Sequence, residues 1–296
     1  MSIHKSQGAT FETVVVHLKK YMPTQALYVG CSRAKSSAGL YIVDDFIQAA
    51  KSSRPNDKVA REMARMEKEC LLKFSLQYLH MLPSECSIRI MFHNCTSLVA
   101  HVKHIVSDPA FMCCDLLFFN ETNVKNMHES VNLPHYKIVA NVVHRTAKRA
   151  CGGSAVYMNN ESPKSYEVLL ENDYIQKHGH VEICALRINC GVFVLIYKSP
   201  GVQYSEFIDL MNSVLPRLSC YSKKITCVGD FNVTAGEITK LNDYFIQYNM
   251  LLKVKLGEPS TDSGSQIDLV YSSDSALSSG YYESYYSYHK PVWMFR

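Results

Sequence analysis

Ile225-Thr226-Cys227-Val228-Gly229-Asp230-Phe231-Asn232 is the stretch around which the rest of the chain organises itself. Its first four residues are an apolar, β-rich run, and the next four carry an acid and an amide onto a loop. Asp230 and Asn232 stand two apart, so an extended backbone puts both on one side. A carboxylate and an amide held that way orient a water and steady a phosphate. The tetrapeptide Gly229-Asp230-Phe231-Asn232 equally fits an ordinary strand end, so its meaning depends on what the chain brings beside it.

Working outward, short β-rich runs alternate with helical ones from residue 87 onward. The pattern predicts strands at Ile88–Phe92, Asp115–Phe119, Ser154–Met158, Val181–Arg187, Val192–Tyr197, Ile225–Gly229, Ile267–Tyr271 and Pro291–Phe295. It predicts helices at Ser97–Val106, Glu206–Leu218 and Ile238–Tyr248. Some of the strands look buried on both faces, which suits an α/β sandwich of two sheets with helices outside. Ser272 to Tyr288 is rich in Ser and Tyr and is expected to be a loop. Residues 51–86 read differently. Met63, Met66, Cys70, Phe74 and Tyr78 recur at helical spacing, after a start signal at Ser52-Ser53-Arg54-Pro55-Asn56, so a linker helix is expected there.

Composition narrows the class. With 47% apolar and 20% charged residues, the chain reads as a soluble globular protein. Residues 1–86 carry 12 Lys and Arg against 8 Asp and Glu, whereas residues 87–296 carry 19 of each. The larger part therefore has no global field for nucleic acid, and a binding groove must be a local patch, with Arg145, Lys148 and Arg149 the best candidate. The 11 cysteines have irregular spacings and no CxxC pair, so they are expected to be reduced in a nuclear or cytoplasmic protein. No apolar run approaches the ~20 residues of a membrane span, and Met1 to Thr10 carries no targeting pattern.

Polar residues recur at the ends of the predicted strands. Asn94, Glu121, Tyr197, Asp230 with Asn232, and His289 all sit there, and Asp268 lies within Gln266-Ile267-Asp268-Leu269. Loops at one edge of a sheet converge in space, so these groups are candidates for one site. In order, Phe92-His93-Asn94, Phe119-Asn120-Glu121-Thr122, Gly152-Gly153-Ser154-Ala155-Val156, Ile196-Tyr197-Lys198-Ser199-Pro200, Gly229-Asp230-Phe231-Asn232, Ser265-Gln266-Ile267-Asp268 and His289-Lys290-Pro291-Val292 resemble the motifs of the endonuclease/exonuclease/phosphatase family, over about seven-tenths of the chain. That family includes apurinic and retrotransposon-type endonucleases.

The resemblance implies a four-layer α/β sandwich and hydrolysis of a phosphate ester with Mg²⁺ or Mn²⁺. It implies Glu121 as the main metal ligand with Asn94 beside it, His289 as phosphate donor or proton carrier oriented by Asp268, Asp230 holding or activating the attacking water, Asn232 positioning it, and Tyr197 bonding the phosphate. Such roles match the preference of Mg²⁺ for oxygen ligands and the way an acid fixes a histidine tautomer. Two positions depart from the pattern. Thr96 stands where many relatives carry an acid two residues after the Asn, and Tyr288 stands where most carry Asp before the final His. Both substitutions remove a group that helps hold the ion or its waters in relatives.

The N-terminal segment has its own signature. Ile3-His4-Lys5-Ser6-Gln7-Gly8-Ala9-Thr10, Val14-Val15-Val16, Ala26-Leu27-Tyr28-Val29-Gly30-Cys31-Ser32-Arg33-Ala34 and Gly39-Leu40-Tyr41-Ile42 resemble the last motifs of superfamily 1 helicases of the Pif/RecD type. In that family the Arg corresponding to Arg33 reaches the ATP γ-phosphate. No GxxxxGK[ST] loop exists in the chain, so no autonomous ATPase or helicase activity is expected. The expected organisation is a remnant of a helicase RecA-like domain at 1–50, a mostly helical linker at 51–86 and a nuclease domain at 87–296. That order resembles the end of the replication-helicase protein of Helitron-like (Helentron) transposons and implies DNA as the partner. Two other readings remain at this point: a decayed remnant that binds DNA without cutting it, and a helicase by similarity alone.

Overall fold

A computed structural model describes residues 8–18, 24–44, 88–124, 131–144, 152–162, 165–284 and 286–296. The expected linker helix and the Arg145, Lys148 and Arg149 patch lie outside the described residues. The chain divides into two compact units, Met1–Lys73 and Phe74–Arg296.

In the first unit, strand β1 (Val14–Leu18) pairs in parallel with β2 (Leu40–Asp44), and helix α1 (Thr24–Cys31) lies between them in sequence. Parallel neighbours need such a crossover. Arg33 follows the helix and is tied down locally, its guanidinium donating to the carbonyls of Val29 and Ala9 and to the Ser32 hydroxyl.

The second unit holds two six-stranded sheets. One contains β3 (Arg89–Asn94), β4 (Leu116–Asn120), β5 (Tyr136–Val142), β6 (Ser154–Asn159), β13 (Ser278–Tyr281) and β14 (Val292–Phe295), in the order β13-β14-β3-β4-β6-β5. The other contains β7 (Tyr166–Gln176), β8 (Gly179–Ile188), β9 (Gly191–Lys198), β10 (Ile225–Asp230), β11 (Leu251–Leu252) and β12 (Asp268–Ser272), in the order β11-β12-β10-β9-β8-β7. Helices α2 (Leu98–Ser107) and α3 (Pro109–Met112) precede β4, while α4 (Tyr204–Ser219) and α5 (Ala235–Ile246) flank β10 in sequence.

Strand alternation assigns the layers. On β3 and β4, Ile90, Phe92, Leu116 and Phe118 join the core shared with the second sheet, whereas Met91, Leu117 and Phe119 join Leu98, Ile105 and Phe111 of α2 and α3. Phe231 packs edge-on against Phe207 of α4, Phe245 of α5 and Tyr271 of β12. The unit is thus a four-layer α/β sandwich, in agreement with the expectation from sequence. Each of its eight predicted strands and three predicted helices has an observed counterpart, with ends shifted by a few residues at most. The segment from Ser272 to Tyr288 differs from the loop expected there: Ser278–Tyr281 pairs with β14 as an edge strand.

Gly229 sets the local geometry that the opening stretch requires. A Cβ at this position would fall 1.7 Å from the Ile196 carbonyl oxygen, so only glycine lets β10 approach β9 this closely. The next residue, Asp230, then sits opposite Tyr197.

Candidate active site

The C-terminal ends of β3, β4, β9 and β10 meet the N-terminal ends of β12 and β14 at one pole of the sandwich. Asn94 and Asn120 end β3 and β4, Asp230 ends β10, Asp268 starts β12, and His289 immediately precedes β14. Cross-strand register organises the second sheet further. Asp173 lies opposite Glu182, Glu182 opposite Tyr197, Tyr197 opposite Asp230, and Asp230 opposite Asp268. Directly opposed side chains share a sheet face, so five polar groups form one row across five strands.

Asn94 joins the two sheets. Its amide Nδ2 donates to Glu121 Oε1 at 2.9 Å and to Asp230 Oδ2 at 2.9 Å. Its Oδ1 accepts the Thr96 backbone N–H at 3.1 Å, so the amide gathers the two carboxylates and turns its oxygen away from them. The row continues through Asn120, whose Oδ1 accepts the Asp230 N–H at 3.2 Å and whose Nδ2 donates to Ser154 Oγ at 2.8 Å. Carboxylate oxygens of Glu121 and Asp230 and a ring nitrogen of His289 all lie within 4.8 Å of one another.

His289 is hydrogen-bonded through one ring nitrogen and not through the other. Its Nδ1 is 2.8 Å from Asp268 Oδ2, and the same Asp268 oxygen accepts the Ser260 hydroxyl at 2.7 Å. A hydrogen bond to a charged group of this kind contributes on the order of 1.5–3 kcal/mol. The His289 Nε2 is buried without a hydrogen-bond partner and lies 3.9 Å from Asp230 Oδ2. Burial opposes a charge on this ring, but the bond and charge of Asp268, then the charges of Asp230 and Glu121, raise its pKa above the ordinary histidine value. Asp230 is pushed up to about 8, first by burial and then by Asp268, against the opposing pulls of His289, the Asn232 N–H and Asn94. Tyr197 is nearly buried, and burial followed by the charges of Glu121, Asp230 and Glu182 pushes its phenol far above the usual range.

Asn232 differs from its expected pose. Its φ is +43°, a left-handed turn and not an extended strand. The Asn232 N–H caps Asp230 Oδ1 at 3.0 Å, and its side-chain Nδ2 donates to the Lys198 carbonyl at 2.9 Å. The turn is stabilised locally because a short polar side chain satisfies the backbone around it. Thr96 at φ +54°, Glu121 at φ +52° and Asn123 at φ +53° also occupy left-handed conformations. For β-branched Thr96 this is a strained conformation, of a kind that concentrates where the surrounding structure overrides local preference. The Thr96 hydroxyl is turned onto its neighbour, donating to the Cys95 carbonyl at 2.7 Å. Tyr288 is 51% exposed, and its ring lies 4.3 Å from that of His289.

Several groups at this pole were not singled out by their positions in the sequence. His93 is fully buried, which lowers its pKa to about 3, and its Nε2 lies 3.2 Å from the His289 carbonyl. Held neutral, it donates there and fixes the backbone from which His289 projects. The buried Lys198 donates to the carbonyls of Val202 and Asn232, pinning two loops beside the site. Ser260 and Glu182 likewise act through cross-chain bonds that no local motif reveals. The oxygen-rich set of Glu121 and Asp230, close together and steered by Asn94, fits a hard divalent ion such as Mg²⁺ in donor chemistry.

No protein-family model matches the sequence. Among solved structures, the endonuclease domain of TRAS1, a telomere-specific non-LTR retrotransposon, superposes with a TM-score of 0.50 at 10% identity, covering 70% of this chain and 97% of that one. The cytolethal distending toxin from Actinobacillus actinomycetemcomitans superposes with a TM-score of 0.50 at 11% identity, covering 71% and 98%. An endonuclease/exonuclease/phosphatase family protein from Bacteroides thetaiotaomicron gives 0.49 at 15% identity, covering 70% and 94%. The fold is of the endonuclease/exonuclease/phosphatase type. A different likeness is to the ATP-dependent DNA helicase PIF1 of Candida albicans, 39% identical over 69 residues, which is 23% of this chain and 8% of that protein. The chain therefore spans less than a tenth of the length of that relative. No helix among the described residues is long and apolar enough to cross a membrane.

Proposed function

We propose that this protein is a Mg²⁺-dependent endonuclease acting on DNA, in which a nuclease domain at 87–296 follows a helicase-like remnant at 1–50 and a linker at 51–86. The observation that carries this reading is the convergence of Glu121, Asp230 and His289 within 4.8 Å, with Asp268 behind the histidine. Glu121 and Asp230 would hold the divalent ion, with Asn94 fixing the spacing of their oxygens. When bound, Mg²⁺ or Mn²⁺ supplies positive charge against the phosphate and the leaving oxygen.

The chain's own groups divide the remaining work. His289 in its imidazolium form, which Asp268 favours against burial, would present Nε2–H to a phosphate oxygen. Asp230 in its ionised form would take a proton from a water poised for attack, and a carboxyl raised to about 8 is a stronger base than an ordinary one. Asn232 sets the direction of Asp230 through its backbone N–H. Tyr197, kept protonated by burial and then by its neighbouring carboxylates, would donate its hydroxyl to the phosphate.

DNA is favoured as substrate by the helicase-like motifs in the same chain, which also support an origin in a Helitron-like transposon protein working in the nucleus or cytoplasm. The test is nicking of supercoiled plasmid with Mg²⁺, with Mn²⁺ and with chelator, beside Glu121→Gln. Nicking that requires metal and disappears in the variant supports the proposal; no nicking by the folded parent overturns it. Thr96 and Tyr288 favour a second reading, a DNA-binding remnant without catalysis. Restoring both to Asp would then bring back cleavage that the parent lacks.

A further inference from the structure

A second convergence lies two strands from Asp230, among residues the proposed hydrolysis does not use. Donor atoms of His144, His180 and Glu182 lie within 4.8 Å of one another. His144 follows β5, while His180 and Glu182 stand two apart on β8 and so share a face. Glu182 is fully buried. Its Oε1 accepts the Gly153 N–H at 2.8 Å and lies 3.2 Å from His180 Nε2, and its Oε2 accepts the Ser154 hydroxyl at 2.5 Å. No Lys or Arg among the described residues forms an ion pair with it. A buried carboxylate without a cationic side chain beside it is costly unless another positive group compensates.

The histidines are set up to provide that compensation through an ion. His144 Nδ1 is 2.8 Å from Asp173 Oδ2, which commits Nδ1 as donor and leaves the Nε2 lone pair available. A carboxylate fixing the far nitrogen is the usual companion of a metal-bound histidine. His144 and His180 stack with centroids 3.5 Å apart and planes 3° from parallel, so their nitrogens start as neighbours. Gly152 leaves space for the acid: a Cβ there would come within 2.8 Å of Glu182 Oε1.

We infer that His144, His180 and Glu182 form a binding site for a divalent ion of the zinc class, separate from the Glu121 cluster. Two imidazoles and one carboxylate are the donors such an ion takes at about 2.0–2.2 Å, and imidazole discriminates against Mg²⁺. Tyr197 borders the site, its ring 5.6 Å from that of His180. The inference stands whether or not the chain cleaves DNA.

The experiment uses the whole chain, stripped with chelator and titrated with Zn²⁺ and with Co²⁺. Zinc content after gel filtration and the visible absorption of the Co²⁺ form are the readouts, neither of which requires activity. At least one tight equivalent is expected, surviving Glu121→Gln and abolished by His144→Ala or His180→Ala. Asp173→Asn should weaken binding by ~10–100-fold, as expected for a residue behind a ligand. Should the alanine variants fold poorly, ring ¹⁵N shifts of the wild-type chain decide instead, with His144 and His180 responding to Zn²⁺. A parent that retains no zinc, or zinc that is lost in Glu121→Gln and kept in His144→Ala, overturns the assignment. So does a ring response confined to His289.

Discussion

The two carboxylate–imidazole clusters each contribute one acid, Asp230 and Glu182, to the same row of the second sheet, yet their donors are committed differently. At Glu121, Asp230 and His289, the histidine spends Nδ1 on Asp268 and sits between acids, so oxygen dominates what faces the site. At His144, His180 and Glu182, the acid spends both oxygens on Ser154 and Gly153, so nitrogen dominates. Composition and neighbouring bonds together thus leave oxygen as the main donor at the first cluster and nitrogen at the second. The two are linked through Glu182, Ser154, Asn120 and Asp230, each hydrogen-bonded to the next.

The sharpest way to break this comparison is Glu121→Gln, which keeps the volume and removes the charge. Metal-dependent nicking should fall by ~10³-fold, several kcal/mol of lost charge stabilisation, with thermal stability essentially unchanged. A plasmid assay at matched protein concentration checks it, and equal cutting would remove Glu121 from the ion site. His289→Ala should lower the rate by ~100-fold or more if the ring carries a proton. Single-turnover rates measure that, and a rate equal to the parent's would take His289 out of the chemistry.

At the second cluster the larger effect falls on folding. Glu182→Ala leaves the buried Gly153 N–H and the Ser154 O–H without their acceptor, so unfolding free energy should drop by about 3 kcal/mol. Urea titration tests this, and an unchanged midpoint would mean that water satisfies both groups. Thr96 offers a smaller, opposite change. Thr96→Asn relieves a β-branched residue from φ +54° and should stabilise by about 1 kcal/mol. Thr96→Asp should match that gain and add an acid beside the ion, separating backbone strain from charge.

The opposite pole provides the control. Asp274 is paired with Arg296 and Lys224 and accepts the Ala276 N–H. Burial works against the carboxylate, but the Ala276 N–H and Arg296 outweigh it and leave its pKa below 3.8. Its stabilisation is therefore full above 3.8 and fades as pH falls through the lowered value. Asp274→Asn should cost about 1 kcal/mol at neutral pH, less in acid, and leave nicking and zinc content alone.

What could be read from the chain follows from where each strand sits. Central strands such as Val192–Tyr197 and Ile225–Gly229 announce themselves because both faces are buried and the run is apolar. The strands of the second unit that the pattern did not reveal, Tyr136–Val142, Tyr166–Gln176, Leu251–Leu252 and Ser278–Tyr281, are the four edges of its two sheets. Solvent relaxes the composition there, as in Tyr166-Glu167-Val168-Leu169-Leu170-Glu171-Asn172-Asp173, where no clean alternation survives. The site divides the same way. Asn94, Glu121, Asp230 and His289 stand at strand ends and could be picked out. Glu182, Ser154 and Asp173 matter through which residue lies across from them, and that register is not written in any local motif. The pose of Asn232 escaped because a left-handed turn replaced the extended backbone that its spacing suggested.

The row from Asp173 to Asp268 also governs how the gene can vary. Each member is addressed by counting residues along its own strand, and side chains alternate with a period of two. A one-codon insertion within β8 before Glu182 would send its carboxylate to the far face, and a two-codon insertion would keep the face but slide it by about 7 Å. Strand interiors here are therefore closed to length change, whereas substitutions at the exposed edges are cheap.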